Sequence, residues 1–288
     1  MKLATFTHQG KTRVGIVLED QVIDLSEAAP ELPRTMPEFL AAGKSALEAA
    51  RKARAPVISL SEVKLEAPVQ RPGKFLAVGL NYRDHAEEAG EKIPVFPMFF
   101  NKQSSCTHPP YEPFYLPKVS PFLDYEGELG FVIGRKCRYV SKEKAPEVIA
   151  GYFVCNDVSV RDFQMHSATW TIGKSFDTHG PFGPWITTPD EVGDPHALDI
   201  ETFVNGELRQ SSNTKNLIFN CYALVEYLSK AFTLEPGDVV STGTPSGAGA
   251  LRKPRSFLKE GDVVRVEVER LGHIEAKVIK EPADVACS

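Results

Sequence analysis

Short apolar runs separated by turn residues dominate the chain from residue 75 onward. Phe75–Val78, Leu129–Ile133 and Tyr152–Cys155 are too short to be helices, and Val263–Glu269 alternates valine with charged residues, as a half-buried strand does. The 21 glycines and 22 prolines supply the turns that many short strands need. One stretch, about 216–232, has clear helical periodicity. Because strands and helices do not alternate regularly, we expect a β-rich α+β protein rather than a doubly wound sheet or a TIM barrel.

The N-terminal part of the sequence predicts a small separate unit. Strands are expected within residues 3–18, and a helix is expected over residues 35–54, where a threonine can cap its start. The segment Ala67–Gly73 (APVQRPG) is typical of a linker, since proline and glycine interrupt regular structure. We therefore expect a small N-terminal α+β domain over residues 1–70 and a main domain over residues 71–288.

Composition and charge exclude several classes of protein. Hydrophobic residues make up 42% and charged residues 25%, which is typical of a soluble globular chain. A net charge of -5 indicates no basic face for nucleic acid, and no run of about 18 apolar residues predicts a membrane span. The five cysteines, which include Cys155 and Cys287, form no CxxC pair, so we expect reduced thiols and a cytoplasmic protein. Cys155 is expected to be a buried small apolar residue.

Acidic side chains recur at every second position within the segment LDYEGELGFV. In a strand this spacing would point Asp124, Glu126 and Glu128 to one face, where like charges repel unless a cation lies between them. Asp157 directly follows another apolar run and could add a third carboxylate from a second strand. Oxygen ligands of this kind suit Mg²⁺, Mn²⁺ or Ca²⁺ rather than Zn²⁺. The alternative is a solvated acidic strand face with nothing bound.

Six segments, in the same order, resemble the fumarylacetoacetate hydrolase family, and in particular its acylpyruvase or 2,4-diketo acid hydrolase branch. They cover the chain from about residue 75 onward. The segments are Gly79–Glu88 (GLNYRDHAEE), Asp124–Gly134 (DYEGELGFVIG), Asn156–Gln164 (NDVSVRDFQ), Gly173–Trp185 (GKSFDTHGPFGPW), Val204–Gln210 (VNGELRQ) and Gly237–Gly247 (GDVVSTGTPSG). The resemblance implies a catalytic domain of rolled, mixed β-sheets that forms a sandwich, and a homodimer.

The resemblance also implies the residues of an active site. The implied metal ligands are Glu126, Glu128 and Asp157, the implied catalytic residues are His85, Glu88 and Lys174, and the implied substrate-binding residues are Gln164, Thr244 and Arg161. Asp124 is expected beside the metal ligands or as a partner of a lid. Arg161 is expected to pair with Asp162, and it could also reach a substrate carboxylate. His166 and His179 could line the pocket, although a structural role is the commoner outcome, and Arg252, Lys253 and Arg255 are expected in a solvated loop.

The implied substrates are 2-oxo and 2,4-dioxo acids, which can hold a dication through the C1 carboxylate and the C2 carbonyl oxygen. Cleavage of the C3–C4 bond would leave the enolate of pyruvate on the metal, and Lys174 would add a second positive charge there. His85 would activate water, and Glu88 would orient its imidazole. Residues 90–103 contain glycine and two prolines, which would suit a lid.

The sequence leaves two alternative functions open. The same metal site would serve an oxaloacetate-type decarboxylase or an isomerase or tautomerase of 2-oxo acids, and His85 together with Glu88 favours hydrolysis. A non-catalytic β-rich module that holds Ca²⁺ would leave those two residues without a joint purpose. The sequence does not identify the acyl group of the substrate.

Overall fold

The computed structural model describes residues 1–283, so Cys287 lies outside the described residues. Its strands are Lys2–His8 (β1), Lys11–Leu18 (β2), Gln21–Asp24 (β3), Val57–Ser59 (β4), Lys64–Leu65 (β5), Phe75–Gly79 (β6), Met98–Lys102 (β7), Thr107–His108 (β8), Phe114–Leu116 (β9), Leu123–Asp124 (β10), Gly127–Ile133 (β11), Ile149–Asn156 (β12), Ser159–Val160 (β13), Gly180–Thr187 (β14), Asp199–Val204 (β15), Glu207–Asn213 (β16), Val239–Ser241 (β17), Val263–Val268 (β18) and Gly272–Lys280 (β19). Its helices are Leu25–Ala28 (α1), Met36–Ala41 (α2), Gly43–Lys52 (α3), Arg83–Ala89 (α4), Arg161–Met165 (α5), Pro189–Val192 (α6) and Cys221–Ala231 (α7). The expectation of a β-rich α+β protein is confirmed.

The largest sheet has 12 strands, and its main path runs β4-β3-β2-β1-β14-β12-β11-β17-β6-β7. A second sheet of five strands has the order β16-β15-β18-β19-β9. Apolar side chains of β11, β18 and α7 share one core between these layers. The alternation predicted for β18 is confirmed, because Val264, Val266 and Val268 are buried and the residues between them are partly exposed. No helix among residues 1–283 is both long and apolar enough to cross a membrane.

The N-terminal strands extend the largest sheet. Strand β1 pairs antiparallel with β14 through Lys2 and Leu3, and it forms a longer hairpin with β2. Helices α2 and α3 cover one face of this sheet, where Phe39 and Leu40 share a core with Val132 of β11. The N-terminal residues and the main body therefore pack on a common sheet, and the division into two domains stays a proposal.

Two helices differ from the sequence predictions. The expected helix over residues 35–54 is interrupted between α2 and α3, where Gly43 adopts a left-handed φ of 69°. The second expected helix begins later than predicted. Asn220 caps α7 by accepting a hydrogen bond from the Ala223 N–H, so the preceding residues lie outside the helix.

Candidate active site

Strands β11 and β12 bring three carboxylates together. The two strands are antiparallel, with Gly127 opposite Asn156, so Glu126 and Asp157 lie side by side where the pair of strands ends. The Asp157 N–H donates to the Glu126 carbonyl at 2.8 Å, which fixes this juxtaposition through the backbone. One carboxylate oxygen from each of Glu126, Glu128 and Asp157 lies within 4.8 Å of the others, and all three side chains are buried.

Buried cations surround this carboxylate cluster, which we define as Glu126, Glu128 and Asp157. Lys174 Nζ lies 2.6 Å from Glu126 Oε2 and 2.8 Å from Asp157 Oδ2. Lys102 Nζ lies 2.6 Å from Asp157 Oδ1, and Arg161 Nη1 lies 2.6 Å from Glu126 Oε1. None of these cations contacts Glu128, whose hydrogen bonds within residues 1–283 come from the Ser241 hydroxyl and the Gly243 N–H.

The electrostatics of the cluster are uneven. Burial raises the pKa of Glu128 well above its usual value, and the charges of Asp157 and Glu126 raise it further. Burial also opposes ionisation of Glu126, but Lys174 and Arg161 outweigh it and lower the pKa of Glu126 to about 2. The charge of Lys174 offsets the rise in the pKa of Glu128 only in part, so Glu128 is the carboxylate of the cluster whose negative charge is least compensated.

A hard dication fits this arrangement. Both hydrogen bonds that Glu128 accepts in the described part of the chain end on Oε2, which leaves Oε1 open. With Asp124 included, four buried carboxylates face three cations, so the site as a whole is short of positive charge. Clustered carboxylate oxygens are the ligands that Mg²⁺ and Mn²⁺ prefer. The residues that could hold the ion are Glu126, Glu128 and Asp157.

The prediction of one unbroken strand that carries Asp124, Glu126 and Glu128 is wrong, and Asp124 is not part of the cluster. It lies beside the cluster, because Arg161 contacts both Asp124 and Glu126. The strand is interrupted after β10, and β11 starts only at Gly127. Asp124 Oδ2 pairs with the Arg161 Nη2 at 2.7 Å. The expected pair between Arg161 and Asp162 is also wrong, because Asp162 instead accepts a hydrogen bond from the Ser120 hydroxyl at 2.7 Å.

A cavity of about 560 Å³ opens next to the cluster and has a chemically mixed lining. Its polar lining residues include Glu126, Arg161, Gln164 and Lys174. Its apolar lining residues include Phe100, Phe122, Met165, Trp170, Leu251 and Phe257. The cavity size lies in the usual range for small-molecule sites. The structure thus offers both ionic and apolar contacts to a single ligand.

Thr244 and Gln164 also line the cavity, but their polar groups already have partners. The Thr244 hydroxyl donates to the Gly127 carbonyl at 2.9 Å and accepts from Gln210 Nε2 at 2.8 Å. A substrate carboxylate needs donors, so it would bind to this hydroxyl only if the bond to Gly127 broke. Gln164 Oε1 accepts from Arg161 Nη1 at 3.0 Å, and its amide NH₂ group is a donor for a ligand.

His85 and Glu88 lie on α4, one turn apart, and His85 lines the cavity. The distance from His85 Nδ1 to Glu88 Oε2 is 3.6 Å, which is too long for a hydrogen bond. Both Glu88 oxygens instead accept from the Gly247 N–H, at 3.0 and 3.1 Å. Partial burial raises the pKa of Glu88, but the interactions with His85 and Gly247 outweigh it and hold the pKa below its usual value. Catalytic hydrogen bonds are often long before substrate binds.

The segment expected to form a lid, residues 90–103, is only partly irregular. Residues 90–97 contain no helix or strand, and Ile93, Val95 and Phe96 are exposed. Residues 98–102 form β7, which pairs with β6 in the largest sheet, so the second half of the predicted lid is wrong.

Other candidate residues take structural or peripheral positions. His179 is fully buried and hydrogen-bonded to the Tyr115 carbonyl, and burial lowers its pKa to about 3. His166 is exposed and packs beside Phe163. Cys155 is completely buried, as expected. Arg255 is exposed and lies in a loop, as expected, and it also lines the cavity.

Sequence reasoning missed two parts of the site. Lys102 is fully buried at the end of β7, and a lysine that ends an apolar strand was a usable signal. The loop of residues 243–250 donates backbone N–H groups to Glu128, Glu88 and Asp124. Its glycines are visible in the sequence, but the carboxylates that it binds are distant along the chain.

Comparisons with known proteins show the family of this chain. The chain matches the fumarylacetoacetate (FAA) hydrolase C-terminal family over residues 74–279. It is 44% identical over 274 residues to the mitochondrial oxaloacetate tautomerase of Xenopus laevis, covering 93% of this chain and 86% of that one. It is 45% identical over 275 residues to the 2,4-didehydro-3-deoxy-L-rhamnonate hydrolase of Sphingomonas sp., covering 94% of each chain.

A solved structure supports the same assignment. The crystal structure of maleylpyruvate hydrolase from Sphingobium sp. SYK-6, in complex with manganese(II) and pyruvate, superposes with a TM-score of 0.80 at 32% identity. The superposition covers 98% of this chain and 100% of that one. Sequence and fold together show that the chain belongs to the fumarylacetoacetate hydrolase family of enzymes.

Proposed function

We propose that this protein is a divalent-metal-dependent hydrolase that cleaves the C3–C4 bond of a 2,4-dioxo acid. The observation that carries the proposal is one cavity lined by Glu126 of the carboxylate cluster, the cations Lys174 and Arg161, His85 and several apolar side chains. A dioxo acid has matching parts, since its C1 carboxylate and C2 carbonyl are ionic or polar and its acyl group can be apolar.

We propose Mg²⁺ or Mn²⁺ as the resident ion, held by Glu126, Glu128 and Asp157. When bound, the ion would supply Lewis-acid polarisation of the C2 carbonyl and stabilise the negative charge that develops on its oxygen. The family resemblance further leads us to propose a homodimer. The four cysteines within residues 1–283 are free and buried, which supports our proposal of a reducing cytoplasmic environment.

The polar lining residues would bind and orient the substrate. Arg161 and Gln164 both line the cavity and would donate hydrogen bonds to the C1 carboxylate, and one N–H of Arg161 Nη1 would exchange its bond to Gln164 for the substrate. Lys174 Nζ is 2% exposed and fixed between Glu126 and Asp157, so its charge would act on the adjacent carbonyl oxygen without rearrangement. The product enolate would then receive a proton at C3.

His85 would act as the general base for hydrolysis. His85 lines the same cavity as Lys174 and Arg161, and its imidazole would remove a proton from the water that attacks C4. Glu88 lies 3.6 Å from Nδ1, so a small movement of either side chain would complete the hydrogen bond that orients the ring.

The second candidate function is keto–enol tautomerisation of oxaloacetate. It is supported by the 44% identity to the Xenopus laevis enzyme, and it needs only proton transfer at C3 by a base such as His85. The apolar part of the cavity favours hydrolysis, because oxaloacetate ends in a carboxylate and would leave that part unfilled.

A product assay separates these functions. The purified protein would be loaded with Mg²⁺ or Mn²⁺ and given acylpyruvates with alkyl or phenyl acyl groups, and separately oxaloacetate, with products followed by NMR. We expect pyruvate and the free carboxylic acid from acylpyruvates. Enolisation of oxaloacetate without cleavage of any acylpyruvate would instead establish the tautomerase, and release of CO₂ would establish the decarboxylase.

A thermal-shift measurement tests the alternative of a non-catalytic Ca²⁺ module. We expect Mg²⁺ to raise the melting temperature and oxalate to raise it again only when the metal is present, because oxalate can use the C1 and C2 oxygen positions of the substrate. A full response to Ca²⁺ with no further effect of oxalate would support the binding module.

Replacing His85 with glutamine should reduce hydrolysis by about 10²–10⁴-fold, the usual contribution of a positioned base. Metal affinity and oxalate binding should change much less than the rate, because His85 Nδ1 makes no hydrogen bond within the described residues, to the carboxylate cluster or elsewhere. Steady-state kinetics and calorimetry would measure these effects. His166→Gln is the matched control, since His166 is exposed, and an unchanged rate in His85→Gln would assign the base elsewhere.

A further inference from the structure

Asp124 is a completely buried carboxylate that the chemistry above does not use. Its Oδ1 accepts hydrogen bonds from the Tyr125 and Gly249 N–H groups, each at 2.9 Å. Its Oδ2 accepts from Arg161 Nε at 2.8 Å and from the Ala250 N–H at 2.9 Å. Because a carboxylate has about four lone-pair sites, these partners saturate it, and it has no site left for a metal ion.

We propose that Asp124 is a positioning residue that fixes Arg161 and the loop at Gly249–Leu251 relative to each other, and that it thereby sets the affinity for substrate. The proposal rests on the proposed function, because it assigns Arg161 to the substrate carboxylate. It adds that Arg161 and Ala250, which both line the cavity, are connected through one buried side chain.

The first part of the argument is the orientation of the guanidinium. Nε and Nη2 of Arg161 lie 2.8 and 2.7 Å from Asp124 Oδ2, so one edge of the guanidinium is held against a single carboxylate oxygen. Nη1, on the other side of the group, lies 2.6 Å from Glu126 Oε1 and 3.0 Å from Gln164 Oε1. Asp124 therefore helps to determine that Nη1 is directed toward Glu126 and Gln164, which line the cavity.

The second part is the attachment of the loop. The N–H groups of Gly249 and Ala250 both end on Asp124, and Ala250 and Leu251 line the cavity. The contact is close, because a Cβ atom at Gly249 would lie 2.6 Å from Asp124 Oδ1 and 2.2 Å from the Ser256 carbonyl. The side chain that orients Arg161 thus also holds the wall beside the acyl group.

The variant Asp124→Asn tests the proposal. Asparagine keeps one acceptor oxygen but loses the charge and one set of acceptor sites, so Arg161 and the Gly249–Leu251 backbone can no longer both be held. With Mg²⁺-loaded protein, we expect the Kd for oxalate and the KM for acylpyruvates to rise by about tenfold or more, which is the usual effect of losing a charge-assisted hydrogen bond. The affinity for Mg²⁺ alone and kcat should change by less than about threefold.

A double-mutant cycle with Arg161→Lys shows whether Asp124 acts through Arg161. Lysine has one side-chain nitrogen and cannot contact Asp124 through two, as Arg161 does. If Asp124 acts through Arg161, the substitution Arg161→Lys should change the oxalate Kd less in the Asp124→Asn background than in the wild type. Fully additive effects would overturn the proposal. An unchanged oxalate Kd in Asp124→Asn, or an equal loss of Mg²⁺ affinity, would overturn it as well.

The matched control is Asp24→Asn. Asp24 is also completely buried, pairs with Arg13 and accepts the Ser26 N–H, but it lies in the N-terminal hairpin away from the cavity. Both variants should lose thermal stability, and only Asp124→Asn should lose oxalate affinity. Because calorimetry with oxalate needs no turnover, the result stands even if the wild-type protein fails to cleave acylpyruvates.

Discussion

Replacing Glu128 with glutamine is expected to abolish metal binding and to raise the melting temperature of the metal-free protein. Glu128 is buried beside Asp157 and Glu126, and no lysine or arginine within residues 1–283 contacts it. The amide keeps an oxygen for the Ser241 hydroxyl and the Gly243 N–H and removes the repulsion. Each 1 kcal/mol of relief would raise the melting temperature by about 2–4 °C.

Turnover by Glu128→Gln should fall more than about a hundredfold, since even the loss of a group that only supports a metal ligand costs up to that factor. Thermal shift with and without Mg²⁺ and steady-state kinetics would measure both effects. Glu66→Gln is a control, because Glu66 is largely buried and accepts a hydrogen bond from the Thr7 hydroxyl outside the cavity. A variant that still gains stability from Mg²⁺ would remove Glu128 from the ligand set.

Replacing Lys102 with methionine is expected to lower the free energy of unfolding by about 3 kcal/mol or more. Lys102 is fully buried, and its ammonium group donates to Asp157 Oδ1 and to the carbonyls of Lys174 and His179. Methionine fills a similar volume but leaves these three acceptors without that donor. A buried charge that loses one partner is the most damaging consequence of this change.

Urea unfolding monitored by circular dichroism would measure the effect of Lys102→Met. Lys230→Met is the control, because Lys230 forms an exposed i,i+4 pair with Glu226 on α7 and such pairs contribute about 0.5 kcal/mol or less. Similar losses in the two variants would show that the Lys102 ion pair contributes no more to stability than a surface pair.

The parts of the fold that the sequence predicted are those encoded locally. The alternating valines of β18 predict a strand with one buried face, and the continuous apolar runs of β11 and β12 predict strands that are buried on both faces. The pairing of β1 with β14 joins residues that are far apart in the chain, and no local pattern encodes it. The sequence did not predict the break at Gly43, because the apolar pattern typical of a helix continues from α2 into α3.

The candidate site also contains residues that the sequence predicted correctly and residues that it did not. Glu126, Glu128 and Asp157 were found because acidic residues stand out against apolar strands, and the structure brings them together. The alternation of side chains holds only within an unbroken strand, and the chain leaves the strand between Asp124 and Gly127. The spacing of Asp124 from Glu126 and Glu128 therefore did not predict its position. The Arg161–Asp162 pair was wrong because adjacent residues on a helix do not face each other.

The loop of residues 243–250 is anchored through its main chain, so nearby side chains can vary in sequence without loss of these anchors. Its contacts to Glu128, Glu88 and Asp124 all use N–H groups, which every amino acid except proline retains. Side chains farther along, at Leu251, Arg255 and Phe257, can therefore be exchanged without loosening these anchors. Randomising those positions would give a library that tests whether the specificity of the proposed hydrolase can change while the carboxylate cluster keeps its contacts.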